Sequence, residues 1–171
     1  GCGYAQGVKA VNADATVILN MTGTTPSAWN DPTKGAELAK SQKSQGADVI
    51  FAAAGGTGMG VLQAAADEGI LSIGVDSNQN YMHPGSVLTS MLKRVDVAVF
   101  NAFSAGADMP TGFIGMDLAA GGVGYAMDDN NAALVSADMT ARVDAAADAI
   151  KSGSLKVHDY MSDETCPAAS F

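Results

Sequence analysis

Residues 48–75 read DVIFAAAGGTGMGVLQAAADEGILSIGV, and this stretch decides the fold. An apolar strand pattern over 48–54 is followed by a glycine-rich loop, a helix pattern over 59–68 and a second apolar strand pattern over 70–75. Short strands without polar alternation are typical of parallel sheets whose two faces are covered by helices. The stretch therefore predicts a βαβ unit within an α/β fold.

The same alternation continues towards the start of the chain. Residues 1–12 predict a helix, and the β-branched run 15–21 (ATVILNM) predicts a strand. A further helix is expected over 32–45, because Asp31 is a suitable N-cap and Gly46 is a suitable stop. The order helix, strand, helix, strand supports a parallel sheet.

Downstream of residue 75 the pattern is less regular. Residues 87–91 predict a short strand, and 94–104 predict a helix with one apolar side. The glycine-rich stretch 112–127 is only weakly strand-like. Residues 136–151 predict a helix with an apolar stripe, which Ser136 caps.

Composition limits the classes of function. The chain has 171 residues, a net charge of −9 and 47% hydrophobic residues, which suits one domain with a packed core. An acidic chain lacks the basic surface that phosphate backbones attract, so we expect no nucleic-acid partner. No apolar run reaches the length of a membrane span.

Metal-binding and catalytic patterns are absent from the sequence. Cys2 and Cys166 have no metal-ligand spacing, and His83 and His158 are far apart in sequence, so we expect no structural metal and no cofactor. There is no G-x-S-x-G, no H-E-x-x-H and no Cys/His nucleophile pair, so we expect a protein that is not an enzyme. Cys2 and Cys166 are compatible with one disulfide in an oxidising compartment or with two free thiols.

Polar loops follow the predicted strands at 22–31, 55–58 and 76–86, where parallel α/β sheets bind ligands. The glycines of the second loop form neither a dinucleotide fingerprint nor a P-loop, and they suit either a ligand contact or a tight turn. The carboxylate of Asp76, the indole of Trp29 and the amine of Lys93 also follow the ends of predicted strands. Each suits either a ligand contact or an ordinary surface or capping role. The candidate ligand-binding residues are Trp29, Gly55, Gly56, Asp76 and Lys93.

Three motifs, at 46–58, 73–79 and 87–96, recur in the order and at the spacings of one family. They read GADVIFAAAGGTG, IGVDSNQ and VLTSMLKRVD, and with them the chain closely resembles the basic membrane protein (BMP) family. These are substrate-binding proteins of ABC importers, often lipoproteins, and purine-nucleoside receptors are the best-understood members.

The resemblance implies a type I periplasmic-binding fold, in which two α/β lobes close on a ligand. Residues 1–92 would form the C-terminal lobe, and residues 93–171 the hinge crossing, a returning helix and the C-terminal elements. The family's Asp-Ser-Phe-Asn motif is not found, so we expect the N-terminal lobe to be missing from this sequence and the remaining surface to self-associate.

The resemblance also implies residue roles. Asp76 would bind the ribose hydroxyls as a carboxylate, and Lys93 would bind them as an amine. Trp29 stands where the family places an aromatic ring, and Gly55 and Gly56 match its glycine-rich loop. The ligand would be a nucleoside and the partner an ABC permease.

An extracytoplasmic location, with a lipid anchor if a lipobox precedes the chain, favours the disulfide between Cys2 and Cys166. Two alternatives remain open: a ligand-sensing domain of a regulator with the same fold, and a binding protein for a non-nucleoside solute.

Overall fold

The computed structural model describes residues 1–169, which contain five α-helices and a four-stranded sheet. The helices are α1 (Cys2–Val11), α2 (Pro32–Ser44), α3 (Thr57–Asp67), α4 (Val95–Ala105) and α5 (Ala137–Lys151). The strands are β1 (Val49–Phe51), β2 (Leu71–Asp76), β3 (Val87–Lys93) and β4 (Val123–Tyr125). The α/β fold predicted from the sequence is confirmed.

The strands lie side by side in chain order, β1-β2-β3-β4. The first three are parallel, whereas β4 is antiparallel to β3, so the expectation of an all-parallel sheet is wrong for β4. No residue of α4 is buried, so this helix does not carry the chain back across the sheet as a crossover helix would. The chain instead returns beside the end of β3, where the Arg94 N–H donates to the Gly122 carbonyl at 2.9 Å.

Helices cover both faces of the sheet. Ile50 of β1 packs with Leu62 of α3 and Ala39 of α2 in the main apolar core. Adjacent residues of a strand point to opposite faces, and the ring of Phe51 stacks on Tyr4 of α1 with 5.4 Å between centroids. Helices α2 and α3 therefore pack in the core on one face of the sheet, and α1 contacts the other face at β1.

Two glycines let α2 and α3 pack at backbone distance. A Cβ on Gly60 would overlap the Pro32 carbonyl, with the carbonyl carbon 2.6 Å away. A Cβ on Gly35 would overlap the main chain of Thr57 in the same way. Both positions are therefore restricted to glycine by the close contact between the two helices.

The predicted helix starts are confirmed by side-chain caps. The Asp31 carboxylate accepts the Lys34 N–H at 2.9 Å and begins α2. The Ser136 hydroxyl accepts the Met139 N–H at 3.2 Å and begins α5. In both cases the cap satisfies a helix N–H that has no partner within the helix.

The strand expected at residues 15–21 is wrong. Among residues 1–169, β1 is an edge strand that pairs only with β2. The 15–21 segment and β1 both line a cavity of about 1030 Å³, and Asn20 of this segment accepts a hydrogen bond from Gln42 of α2 at 2.9 Å. A β-branched run favours strand geometry but becomes a strand only when a neighbouring edge pairs with it.

The apolar sides of α4 and α5 do not pack in a core. Neither helix contains a buried residue, and Phe103 of α4 is 83% exposed. The amphipathic pattern at 94–104 predicts the helix correctly, and its apolar side is left exposed. Exposed apolar surface favours self-association, which stays a prediction.

A disulfide joins Cys2 in α1 to Cys166, with 5.7 Å between their Cα atoms. Next to it, the Gln6 side chain exchanges two hydrogen bonds with the main chain of His158, accepting from its N–H at 2.8 Å and donating to its carbonyl at 3.0 Å. Residues 158–166 are therefore fastened to α1 both covalently and by hydrogen bonds.

None of the helices in residues 1–169 combines the length and the apolar character needed to cross a membrane.

The proposed boundary between residues 92 and 93 falls inside β3, and β4 from the second part joins the same sheet. The division into a lobe (residues 1–92) and returning elements (residues 93–171) therefore stays a proposal.

Candidate functional site

The last residues of β2 and β3 form an ion pair at the carboxyl ends of these strands. Asp76 ends β2, Lys93 ends β3, and these neighbouring strands are parallel. Lys93 Nζ lies 3.0 Å from Asp76 Oδ1. The two side chains are 62% and 47% exposed, so both can still reach a solute.

Asp76 has an unusual backbone conformation. Its φ is 69°, and the Ser77 N–H donates across it to the Val75 carbonyl at 2.9 Å. A non-glycine residue in this region costs about 1 to 3 kcal/mol and persists only where its surroundings hold it. Such strain is concentrated at binding and catalytic sites, which makes Asp76 a candidate functional residue.

Trp29 is held next to this ion pair by a buried threonine. Thr57, the first residue of α3, donates its hydroxyl to the Ala28 carbonyl and accepts the Asp31 N–H, both at 2.7 Å. The loop that carries Trp29 is therefore fixed to α3 on either side of the indole. The indole itself is 60% exposed and free to stack on a flat ligand.

Gly55 and Gly56 let the Trp29 loop approach the start of α3. Gly55 has a φ of 55°, and a Cβ there would lie 3.4 Å from Cε3 of the indole. A Cβ on Gly56 would lie 3.2 Å from the Trp29 carbonyl oxygen and from Asn30 Oδ1. Both glycines support the tight-turn role, and Gly55 also lines the cavity described next.

A cavity of about 290 Å³ lies between the indole and the ion pair. It is lined by Trp29, Ala53, Ala54, Gly55, Val75, Asp76 and Lys93. Four of the five sequence-predicted ligand residues therefore line one cavity, and Gly56 is not among its lining residues. The cavity offers an aromatic face, a carboxylate acceptor and an ammonium donor, a set that suits a flat ligand with hydroxyl groups.

The residues that hold this site in shape are not among the candidate ligand residues predicted from the sequence. Thr57 lies within the predicted loop 55–58, and the others are Gln79, Ser90 and Asp128. Thr57 Oγ1 makes two hydrogen bonds, and the other three residues belong to a network under the site. Thr57 begins α3, which is a weak signal in the sequence, whereas Ser90 lies in the middle of β3 and is not marked by its position.

No described group of three or more His, Cys, Asp or Glu side chains within residues 1–169 is arranged to hold a metal ion. The site contains an ion pair and an indole, with no nucleophile and base in contact. These groups can recognise a ligand by stacking and hydrogen bonding.

Asp128, which lies beneath the loop after β2, gives a pH-dependent prediction. The Asn78 amide donates to its Oδ2 at 2.6 Å, and Asn130 donates to its Oδ1 from both main chain and side chain. These hydrogen bonds, that from Asn78 foremost, hold the pKa of Asp128 below its usual range. Its contribution to stability is present above pH 4 and lost as the pH falls through the lowered pKa.

We expect the stability difference between wild type and Asp128→Asn to be largest near pH 6 and to shrink at pH 3. Urea unfolding at both pH values measures this difference. Asp129→Asn removes the same charge from the next residue and serves as the control. An equal difference at both pH values would contradict the role of the ionised carboxylate.

The chain is similar to known proteins of ABC transporters that bind solutes. The model of the Bmp family, described as ABC transporter substrate-binding protein PnrA-like, matches residues 1–159. Basic membrane protein D of Borreliella burgdorferi is 37% identical over 101 residues, which is 58% of this chain and 28% of that protein. The CD4+ T-cell-stimulating antigen of Listeria monocytogenes is 34% identical over 178 aligned positions, covering 91% of this chain and 47% of that protein.

A regulator and a solved structure are also similar. Transcriptional activator protein Med of Bacillus subtilis is 32% identical over 96 residues, covering 56% of this chain and 29% of that protein. The crystal structure of an ABC transporter solute-binding protein from Aeropyrum pernix superposes with a TM-score of 0.74 at 25% identity, over 89% of this chain and 50% of that one. The chain thus spans half or less of the length of these relatives.

Proposed function

The chain belongs to the Bmp family of PnrA-like ABC transporter substrate-binding proteins, and on that basis we propose that it forms one wall of a solute-binding cleft for a purine nucleoside. The second wall would come from a further lobe, and the loaded protein would deliver its ligand to an ABC permease outside the cytoplasm. A lipid anchor upstream of this chain is part of the same proposal. The protein would bind its ligand without transforming it.

The observation that carries the proposal is the cavity between Trp29 and the Asp76–Lys93 pair. A purine can stack on the exposed indole, and base stacking on an aromatic side chain contributes about 1 to 3 kcal/mol. The ribose hydroxyls can then donate to Asp76 and accept from Lys93. Hydrogen bonds to charged groups are about twice as strong as neutral ones, which favours a sugar at this position.

The first test is calorimetry on the complete protein that contains this chain. Adenosine, guanosine and inosine should bind, and the free bases should bind less tightly because they lack the ribose. Asp76→Ala or Lys93→Ala should each cost about 1.5 to 3 kcal/mol, which is roughly a tenfold to hundredfold loss of affinity.

Lys40→Ala, which removes an exposed lysine on α2, is the matched control and should leave the affinity unchanged. Unchanged affinity in both site variants would refute the assigned roles. A wild type that binds none of the purine compounds would refute the ligand class and favour a non-nucleoside solute.

A second candidate function is ligand sensing within a regulator, and the similarity to Med favours it. The same cavity would then signal to another domain rather than to a permease. The gene sequence upstream of this chain separates the two candidates. A leader with a lipobox cysteine supports transport, whereas a DNA-binding segment supports regulation.

A further inference from the structure

Gln79 folds back beneath the strand that carries Asp76. Its Oε1 accepts the N–H of Val75, the residue directly before Asp76, at 2.8 Å. Its own N–H donates to the Ser90 hydroxyl on β3 at 2.9 Å. Gln79 thus holds the end of β2 and attaches it to the neighbouring strand.

Gly74 provides the space for this arrangement. A Cβ on Gly74 would lie 2.7 Å from Gln79 Oε1 and 2.8 Å from Ser90 Oγ, closer than real contacts allow. The glycine inside β2 therefore allows the Gln79 side chain to lie against the strand. A glycine normally weakens a strand interior, and close approach by another group is the usual reason for its presence.

Buried polar groups continue the network. The Ser90 hydroxyl donates to Asn80 Oδ1 at 2.8 Å, and both residues are fully buried. The Asn80 N–H donates to Asn78 Oδ1, and the Asn78 amide donates to Asp128. The buried part of this network, Ser90 and Asn80, is fully hydrogen-bonded, and such groups rigidify the segment they hold, here the loop that follows β2.

This network explains how Asp76 keeps its strained conformation. The Val75 N–H and the Ser77 N–H, on the two sides of Asp76, are both hydrogen-bonded, and the first of these bonds goes to Gln79. Without it, Asp76 could relax towards ordinary extended geometry, and its carboxylate would move away from Lys93. Gln79, which accepts the N–H directly before the strained residue, does not itself line the cavity.

We propose that Gln79 is a positioning residue, which holds Asp76 in its left-handed conformation and so sets the Asp76–Lys93 pair for ligand. Its effect on affinity rests on the proposed function, whereas its effect on the ion pair does not. The two effects therefore need separate measurements.

The ligand-free test measures how fast Lys93 is acetylated by N-hydroxysuccinimidyl acetate, by mass spectrometry on the complete protein. Asp76→Ala defines the rate for a released lysine. Gln79→Met, which lacks the acceptor, should raise the Lys93 rate about threefold or more towards that of Asp76→Ala. Gln79→Glu keeps an oxygen at the same place and should react like wild type.

Lys156, an exposed lysine far along the chain, is the internal control and should react equally in every variant. Gln79→Ala replaces Gln79→Met if the methionine variant does not fold. A wild-type Lys93 rate in the folded variant without the acceptor would overturn the proposal, as would equal rates in the Met and Glu variants.

The ligand test is a double-mutant cycle on nucleoside affinity. Gln79→Met alone should weaken binding about fivefold to tenfold, and it should add nothing in the Asp76→Ala background, because it acts through that carboxylate. Additive losses would overturn the proposal. If wild type binds no nucleoside, the proposed function fails, and the Lys93 rates still decide the role of Gln79.

Discussion

Removing the Cys2–Cys166 disulfide should lower the free energy of unfolding by about 2 to 5 kcal/mol. The two cysteines are 164 positions apart, so the bond closes nearly the whole chain into a loop. In the chain-entropy model, closing a loop of this size raises the free energy of the unfolded state by roughly 5 kcal/mol, and the measured increase in stability is usually smaller. The loss should exceed that from any single hydrogen bond described above.

The measurement compares urea unfolding of the oxidised protein with that of Cys2→Ser/Cys166→Ser. Adding dithiothreitol should destabilise the wild type and leave the double variant unchanged, since the sequence contains no other cysteine. A thiol assay on the denatured, unreduced protein should find no free thiol. Two free thiols would show that the bond does not form.

Gly60→Ala should destabilise the protein by about 3 kcal/mol, the upper end of the usual cost of overpacking a core. The new methyl group would overlap the Pro32 carbonyl, with the Pro32 Cα also only 2.9 Å away. These are main-chain atoms of α2, so no rotamer change can relieve the overlap, and the two helices must separate. Separation would also disturb Asp31 and Thr57, which connect the helices to the Trp29 loop.

Gly7→Ala is the matched control, because Gly7 lies in α1 and has no atom within 4 Å of an added Cβ. Alanine is the better helix former, so this variant should gain about 0.5 to 1 kcal/mol. Thermal and urea unfolding of both variants measure the contrast. Similar stability changes in the two variants would mean that the helix contact is looser than the structure shows.

The sequence predicted the fold well where local signals determine the structure. Residues 48–75 indicated β1, α3 and β2 in the right order, and Asp31 and Ser136 marked the starts of α2 and α5. Apolar strands and helix caps depend on neighbouring residues, so one sequence is enough to find them.

Predictions that depend on distant partners were less accurate. The 15–21 run has strand composition, yet it lines a cavity with β1 and does not pair with it, because pairing depends on where α1 and α2 place it. The direction of β4 depends on the path of the chain after β3. The apolar side of α4 does not say which surface, if any, covers it.

The candidate site was predictable in part because strand ends gather at one edge of a parallel sheet. Asp76 and Lys93 end β2 and β3 and meet there as an ion pair. Trp29 follows residues 15–21, which form no strand, so it reaches the same cavity through the hydrogen bonds of Thr57 and not as a strand end. The roles of Gln79 and Thr57 come from hydrogen bonds to main-chain atoms across the fold, and neither these bonds nor the positive φ of Asp76 has a local signal in the sequence.

The Cys2–Cys166 bond also determines how the molecule would respond to a pulling force. Tension applied at these two residues passes through one covalent bond and does not load the strands between them. The sheet and the helices packed on it would carry no load while the bond is intact. After reduction, the same tension would fall on the hydrogen bonds between Gln6 and His158, and then on α1.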